Sequence, residues 1–188
     1  MKKAILILFA SLSVSTVNAQ CEGGRYINKI FSQTIRTKDI AYTNARNAAG
    51  AMQNVMMDVF EPKNDTAALR PLVIFEHGGA YWTGTKDYES QIAMGEEFAK
   101  RGYVVSSATY RLEPSPLSLL FQDLMIKAVG RGVQDTKELV RYFFNSARDS
   151  ANPFKIDTSK IFLCGASAGA FNVLHAVYLD SLDILDAQ

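Results

Sequence analysis

Gly165, Ser167 and Gly169 stand at alternate positions in the stretch Ile161-Phe162-Leu163-Cys164-Gly165-Ala166-Ser167-Ala168-Gly169-Ala170. An apolar run bounded by Lys160 leads into them, and a helix-like pattern leads out. A serine on a sharp turn between a buried strand and the next helix is placed to act as a nucleophile. Such a turn forces strained backbone angles on the serine, so its neighbours must be small. Gly165 and Gly169 carry no Cβ, and Ala166 and Ala168 carry the smallest side chain that has one. The backbone N–H of Ala168, opening the helix, would point at an oxyanion formed on a carbonyl attacked by Ser167. A plain Gly/Ala/Ser loop between strand and helix meets the same spacing, so a second landmark is needed.

That landmark lies upstream, in Phe75-Glu76-His77-Gly78-Gly79-Ala80-Tyr81-Trp82. It follows the continuous apolar run Pro71–Phe75, the mark of a strand buried on both faces of a parallel sheet. Its two glycines let the backbone approach a ligand closely.

The elements that must hold these two stretches are legible in order. Ile35 to Tyr42 reads as a first strand, and Gln53 to Phe60 as a second, stopped by Glu61-Pro62. Pro71–Glu76 is a third strand, and Gln91–Arg101 a helix ending at Gly102. Tyr103–Ala108 is the next buried strand. Val133, Val140, Phe143, Phe144 and Ala147 fall on one helical stripe, which is expected to face the core. Strand Lys160–Cys164 and helix Ala168–Leu179 complete the series. Alternating strands and helices mean an α/β fold with a mainly parallel sheet and helices on both faces.

Taken together, these stretches resemble the alpha/beta-hydrolase superfamily, specifically the secreted carboxylesterase/lipase branch with an HGGG-type oxyanion motif. Three landmarks carry the resemblance in order: His77-Gly78-Gly79-Ala80-Tyr81-Trp82, then Tyr110-Arg111-Leu112 with Pro114, then Gly165-Ala166-Ser167-Ala168-Gly169. It spans roughly residues 50 to 180. Ala80 stands where a third glycine is common, a mild departure that leaves the donors in place. The resemblance implies Ser167 as nucleophile of an acyl-enzyme mechanism. It implies an oxyanion hole from the Gly78-Gly79-Ala80 loop and the Ala168 N–H, and no cofactor or metal. Tyr81 and Trp82 would line the acyl or alcohol pocket, unless they are core aromatics beneath the loop. Arg111 would act as scaffolding through an ion pair with a carboxylate such as Asp135. Residues 113–128 form an apolar excursion that serves either as pocket wall or lid, or as ordinary packing.

One part of the chemistry is missing. A serine hydroxyl needs a base, usually a histidine oriented by a carboxylate, and in this fold both follow the serine in the chain. His175 follows Ser167 by eight residues on the same helix, which puts it roughly 12 Å up the axis at 1.5 Å per residue. His77 precedes the serine and would shape the oxyanion loop. Asp180, Asp183 and Asp186 lie at the far end of the nucleophile helix. No acid–histidine pair is within reach. A strand ending at Ser167 would also leave an apolar edge if no later strand paired with it. The expectation is therefore the N-terminal portion, residues 20–188, of a serine esterase domain, inactive as it stands. A non-catalytic binding module on a hydrolase scaffold, or an exopeptidase of the same superfamily, are the alternatives.

Met1-Lys2-Lys3, the apolar stretch Ala4–Val14 and the small residues Val17-Asn18-Ala19 read as a signal peptide over residues 1–19, cleaved after Ala19. The expected location is secreted or periplasmic. Cys21 suggests a lipoprotein, but Gln20 before it is a poor lipid-attachment position. Removing residues 1–19 takes two lysines and no acid, leaving 18 bases against 19 acids. That balance supplies no electrostatic argument for nucleic acid or an anionic membrane as partner. The expected partner is an ester substrate, either a small molecule or linked to a polysaccharide. Cys21 and Cys164 make no disulfide framework, and Cys164 is expected to be a small buried hydrophobe. Cysteines and histidines are too few and scattered for zinc-type spacing.

Overall fold

A computed structural model describes residues 22–179. The leader segment with Cys21, and Asp180, Asp183 and Asp186, lie outside the described residues. Five strands form one sheet in the order β1-β2-β4-β3-β5. They are β1 (Thr34–Arg46), β2 (Met52–Pro62), β3 (Arg70–Glu76), β4 (Val104–Ala108) and β5 (Ile156–Gly165). Three helices complete the architecture: α1 (Glu89–Ala99), α2 (Gln122–Asp149) and α3 (Ala168–Tyr178).

Every residue of β3 and β4 is buried, as expected for apolar runs with helices above and below. Alternation along β3 divides the core. Leu72 and Ile74 pack with Val55, Met57, Val59, Leu139 and Phe143 on the α2 side. Val73 and Phe75 pack with Phe60, Ala99 and Val105 on the α1 side. Helices therefore cover both faces. The sheet is mixed: β4-β3-β5 is parallel, while β1-β2 and β2-β4 are antiparallel. The short turn at Asn47–Ala51 accounts for the β1-β2 pair, because a link that short returns the chain only antiparallel.

Three expectations need correction. Helix α2 begins at Gln122, eleven residues before Val133, so the second half of the 113–128 excursion is helix. A 3-10 turn at Pro116–Leu120 precedes it. Phe144 does not share the core face of Val133 and Phe143 but is exposed. Cys164 is half-buried rather than buried, because β5 is the outer strand of the sheet among the described residues. Phe162 on that strand is 51% exposed.

Arg111 and Asp135 do form the expected pair, 2.9 Å apart and buried. Asp135 also accepts the Arg111 backbone N–H at 2.7 Å, and Arg111 reaches the carbonyl of Arg46 at 2.7 Å. One guanidinium thus ties the segment after β4 to α2 and to the end of β1. Replacing Asp135 by alanine strands a buried cation, which typically costs about 3–5 kcal/mol. Urea unfolding should show that loss, and a change below about 1 kcal/mol would contradict the role given to the pair.

Candidate active site

Ser167 caps the start of α3, two residues past the end of β5, and its backbone sits at φ 50°, ψ −115°. A non-glycine residue at positive φ is strained and persists only where its surroundings over-determine it. Those surroundings are close backbone contacts that exclude any side chain. A Cβ on Gly169 would lie 2.5 Å from the carbonyl oxygen of Glu76, and one on Gly165 would overlap the carbonyl of Gly169. The N–H of Ala166 donates to the Glu76 carbonyl at 3.1 Å. The turn is thereby bolted to the end of β3, where the other landmark begins.

The loop after β3 meets the serine directly. A Cβ on Gly78 would lie 3.3 Å from that of Ser167 and 3.1 Å from the carbonyl oxygen of Ala166. Gly79, Ala80 and Tyr81 then take three successive positive φ values, 135°, 50° and 64°. The N–H groups of Trp82 and Thr83 both donate to the Gly79 carbonyl, at 3.2 and 3.1 Å. This tight coil leaves the N–H groups of Gly79 and Ala80 without a backbone acceptor among the described residues. Ala168, as the first residue of α3, has no acceptor within its helix either. The far end of the loop is anchored by Lys86. Its carbonyl accepts from Ser107 Oγ at 2.9 Å, and its ammonium lies 2.8–2.9 Å from Asp39, Asp58 and Asp87.

An apolar cavity of about 310 Å³ opens beside the serine, lined by Ala80, Tyr81, Met125, Val129, Ala168 and Phe171 along with Ser167 itself. Tyr81 is both a cavity wall and an internal brace: buried, its hydroxyl lies 3.0 Å from Asn172 Oδ1, to which it donates, and 3.2 Å from the Ala168 carbonyl. Trp82 lies outside this cavity and is 43% exposed. Met125, Val129 and Phe171 had no place in the sequence reading as individual site residues. Their signal was there in part: 125, 129 and 133 continue the stripe of α2 upstream at helical spacing.

Neither histidine among the described residues hydrogen-bonds Ser167. His77 Nδ1 faces the carbonyl of Gly78 at 2.8 Å. Its ring stacks on Tyr110 at 4.6 Å between centroids, and its Nε2 is buried without a partner. Burial lowers its pKa, while the bond to the Gly78 carbonyl pulls the other way. His175 Nδ1 is engaged by the Phe171 carbonyl at 2.7 Å, one turn back on the same helix. No cluster of His, Cys, Asp or Glu among the described residues has the geometry to hold a metal ion. No helix there is long and apolar enough to cross a membrane.

A helix-flanked sheet with a strained serine between strand and helix, faced by a glycine loop from the neighbouring strand, defines an α/β-hydrolase fold. The chain belongs to the BD-FAE family, whose profile matches residues 57–187. Among solved structures it is similar to Thermogutta terrifontis esterase 2 phosphonylated by sarin. The two share 25% identity at a TM-score of 0.51, over 70% of this chain and 41% of that one. It is similar in fold to a bacterial heroin esterase, with 22% identity and a TM-score of 0.51, over 78% of this chain and 41% of that one. The chain thus spans 41% of the length of these solved esterases. No curated protein matches it significantly.

Proposed function

We propose that the protein is a serine carboxylic-ester hydrolase working through an acyl-enzyme, with Ser167 as nucleophile. The observation that carries this is the strained backbone of Ser167 set directly against the Gly78 loop. Strain at a serine has no packing benefit, and it presents Oγ at the tip of the turn, where a carbonyl carbon can reach it. Attack forms the Oγ–C bond and moves the carbonyl electrons onto oxygen. The free N–H groups of Ala168 and of Gly79 or Ala80 then stabilise that oxyanion, and the Gly78 backbone keeps the loop close. Collapse expels the alcohol and leaves the acyl group on Ser167, and water releases it by the reverse sequence. The Oγ proton passes to a base and on to the leaving alkoxide. Residues 22–179 bring no such base to Ser167, so the histidine and its acid are supplied from outside them.

Tyr81, Ala80, Met125, Val129 and Phe171 form an apolar wall suited to a short acyl chain or a small aromatic group. Trp82, exposed nearby in the loop, is available to the alcohol side of an ester. The leader at residues 1–19 makes the protein secreted or periplasmic. The similar Thermogutta terrifontis esterase 2 is an esterase that sarin phosphonylates, in keeping with this chemistry. Hydrolysis of p-nitrophenyl butyrate by the native gene product tests the reading. Turnover with an initial burst of nitrophenol is expected, and no turnover of any short-chain p-nitrophenyl ester would overturn it.

A further inference from the structure

Glu76 is the last residue of β3, adjacent to His77, and is 1% exposed. None of the ion pairs among the described residues includes it. A buried glutamate without a cation needs another account, because an isolated buried carboxylate is very costly. Its Oε1 lies 2.7 Å from Thr136 Oγ1, and its Oε2 lies 3.0 Å from Asn172 Nδ2. Thr136 Oγ1 is also 2.9 Å from the carbonyl of Gly132. A threonine hydroxyl has one hydrogen, so it cannot donate to a carboxylate and to that carbonyl at once.

A proton on Glu76 Oε1 resolves the conflict. Tyr81 O–H then donates to Asn172 Oδ1, Asn172 Nδ2–H to Glu76 Oε2, Glu76 Oε1–H to Thr136 Oγ1, and Thr136 O–H to the Gly132 carbonyl. Each of these four contacts then has one hydrogen and one acceptor, with the single Tyr81 hydrogen given to Asn172 Oδ1 rather than to the more distant Ala168 carbonyl. Gly132 is a glycine where this chain needs one, since a Cβ there would overlap Asn172 Oδ1.

We propose that Glu76 is a positioning residue that works as a neutral acid, holding loop residue Tyr81 through Asn172 against α3 and tying both through Thr136 to α2. This rests on the reading of Ser167 and its facing loop as catalytic. Ala80 and Tyr81 lie at positive φ, so the loop cannot hold its own shape and needs an external brace. The Tyr81 hydroxyl is that brace, and Glu76 anchors its far end.

The surroundings favour the proton. Helix α2 presents Asp135, already paired with Arg111, and α3 presents the uncharged Asn172. The flanking strands place Ala108 and Gly165 beside Glu76. The nearby phenols of Tyr42, Tyr81 and Tyr110 are all pushed up by burial and stay neutral. Burial first, and the charge of Asp135 second, push Glu76 up to about 8, while its bonds to Thr136 and Asn172 pull the other way.

A carboxyl raised in the folded state stabilises fully below its unfolded value of 4.5, and that stability is lost as pH rises through about 8. Glu76→Gln copies the neutral acid, with its amide nitrogen donating to Thr136 and its oxygen accepting from Asn172. The test compares the native gene product with Glu76→Ala and Glu76→Gln. Its readouts are kcat and KM for p-nitrophenyl butyrate, and the melting temperature, from pH 5 to 9.5. Glu76→Ala should lower kcat by roughly 10²-fold through misplaced donors, and Glu76→Gln should restore it. Wild-type kcat should fall at alkaline pH with an apparent pKa near 8, and that limb should be absent in Glu76→Gln. At pH 8.5 the glutamine variant should melt about 5 °C above wild type. An identical alkaline limb in Glu76→Gln, or a glutamine variant as defective as Glu76→Ala, would overturn the proposal. The melting profiles do not depend on activity. If they diverge as stated while wild type turns over no ester, the esterase reading falls and the proton on Glu76 stands.

Discussion

Replacing Ser167 by alanine should lower ester turnover by about 10⁴-fold or more in the native gene product, because no other group can take the acyl chain. The fold should be indifferent to the change. Alanine keeps the Cβ, so the strain at φ 50° is unaltered. The serine hydroxyl makes no hydrogen bond among the described residues, and its removal leaves no buried partner unpaired. Stability should therefore stay within about 0.5 kcal/mol of wild type. Activity lost without stability separates a nucleophile from a structural serine. Wild-type turnover in the alanine variant would remove Ser167 from the mechanism.

Gly79→Ala should be the second most damaging change to activity. Gly79 sits at φ 135°, a conformation open to glycine and strained for alanine. The added Cβ would also overlap the carbonyl oxygen of Thr83. That carbonyl belongs to backbone, which cannot rotate away as a side chain would, so the loop must move. Its displacement takes the N–H groups of Gly79 and Ala80 off the oxyanion. Loss of one such donor costs roughly 10²–10³ in kcat, with KM little changed. Gly50→Ala is the control: Gly50 also has positive φ, but a Cβ there meets nothing within 4 Å. Strain alone would damage both variants alike, and a loss confined to Gly79→Ala assigns it to the site. A kcat within about threefold of wild type in Gly79→Ala would contradict the role of the loop.

The parts of the fold that were legible in the sequence share a physical cause. Strands β3 and β4 are short apolar runs closed by Gly, Pro or charge, and burial on both faces writes that pattern plainly. The turn at Ser167 was legible because backbone crowding at Gly165 and Gly169 admits only glycine. The start of α2 was hidden: Pro114 and Pro116 suggest a loop, and Gly130 and Gly132 weaken the helical signal. Gly132 is there for contact with Asn172, a tertiary reason that local propensity cannot express. Cys164 and Phe162 look like core residues in sequence, and are half-buried and exposed because β5 is the outer strand among the described residues. The Glu76 brace was wholly illegible. Thr136 lies 60 residues from Glu76 and Asn172 lies 96, and nothing local in a strand-end glutamate announces such partners. Tyr81 shows the mixed case, since the alternatives of pocket wall and core aromatic both describe it.

The central claim is that Ser167 becomes covalently modified at Oγ. Incubating the native gene product with a fluorophosphonate, then weighing its tryptic peptides, tests it most directly. One phosphonyl group on the peptide holding Ser167, absent in Ser167→Ala, is the predicted result. An unmodified Ser167 peptide in a folded protein that still hydrolyses p-nitrophenyl butyrate would contradict it, and would place the nucleophile elsewhere in the molecule.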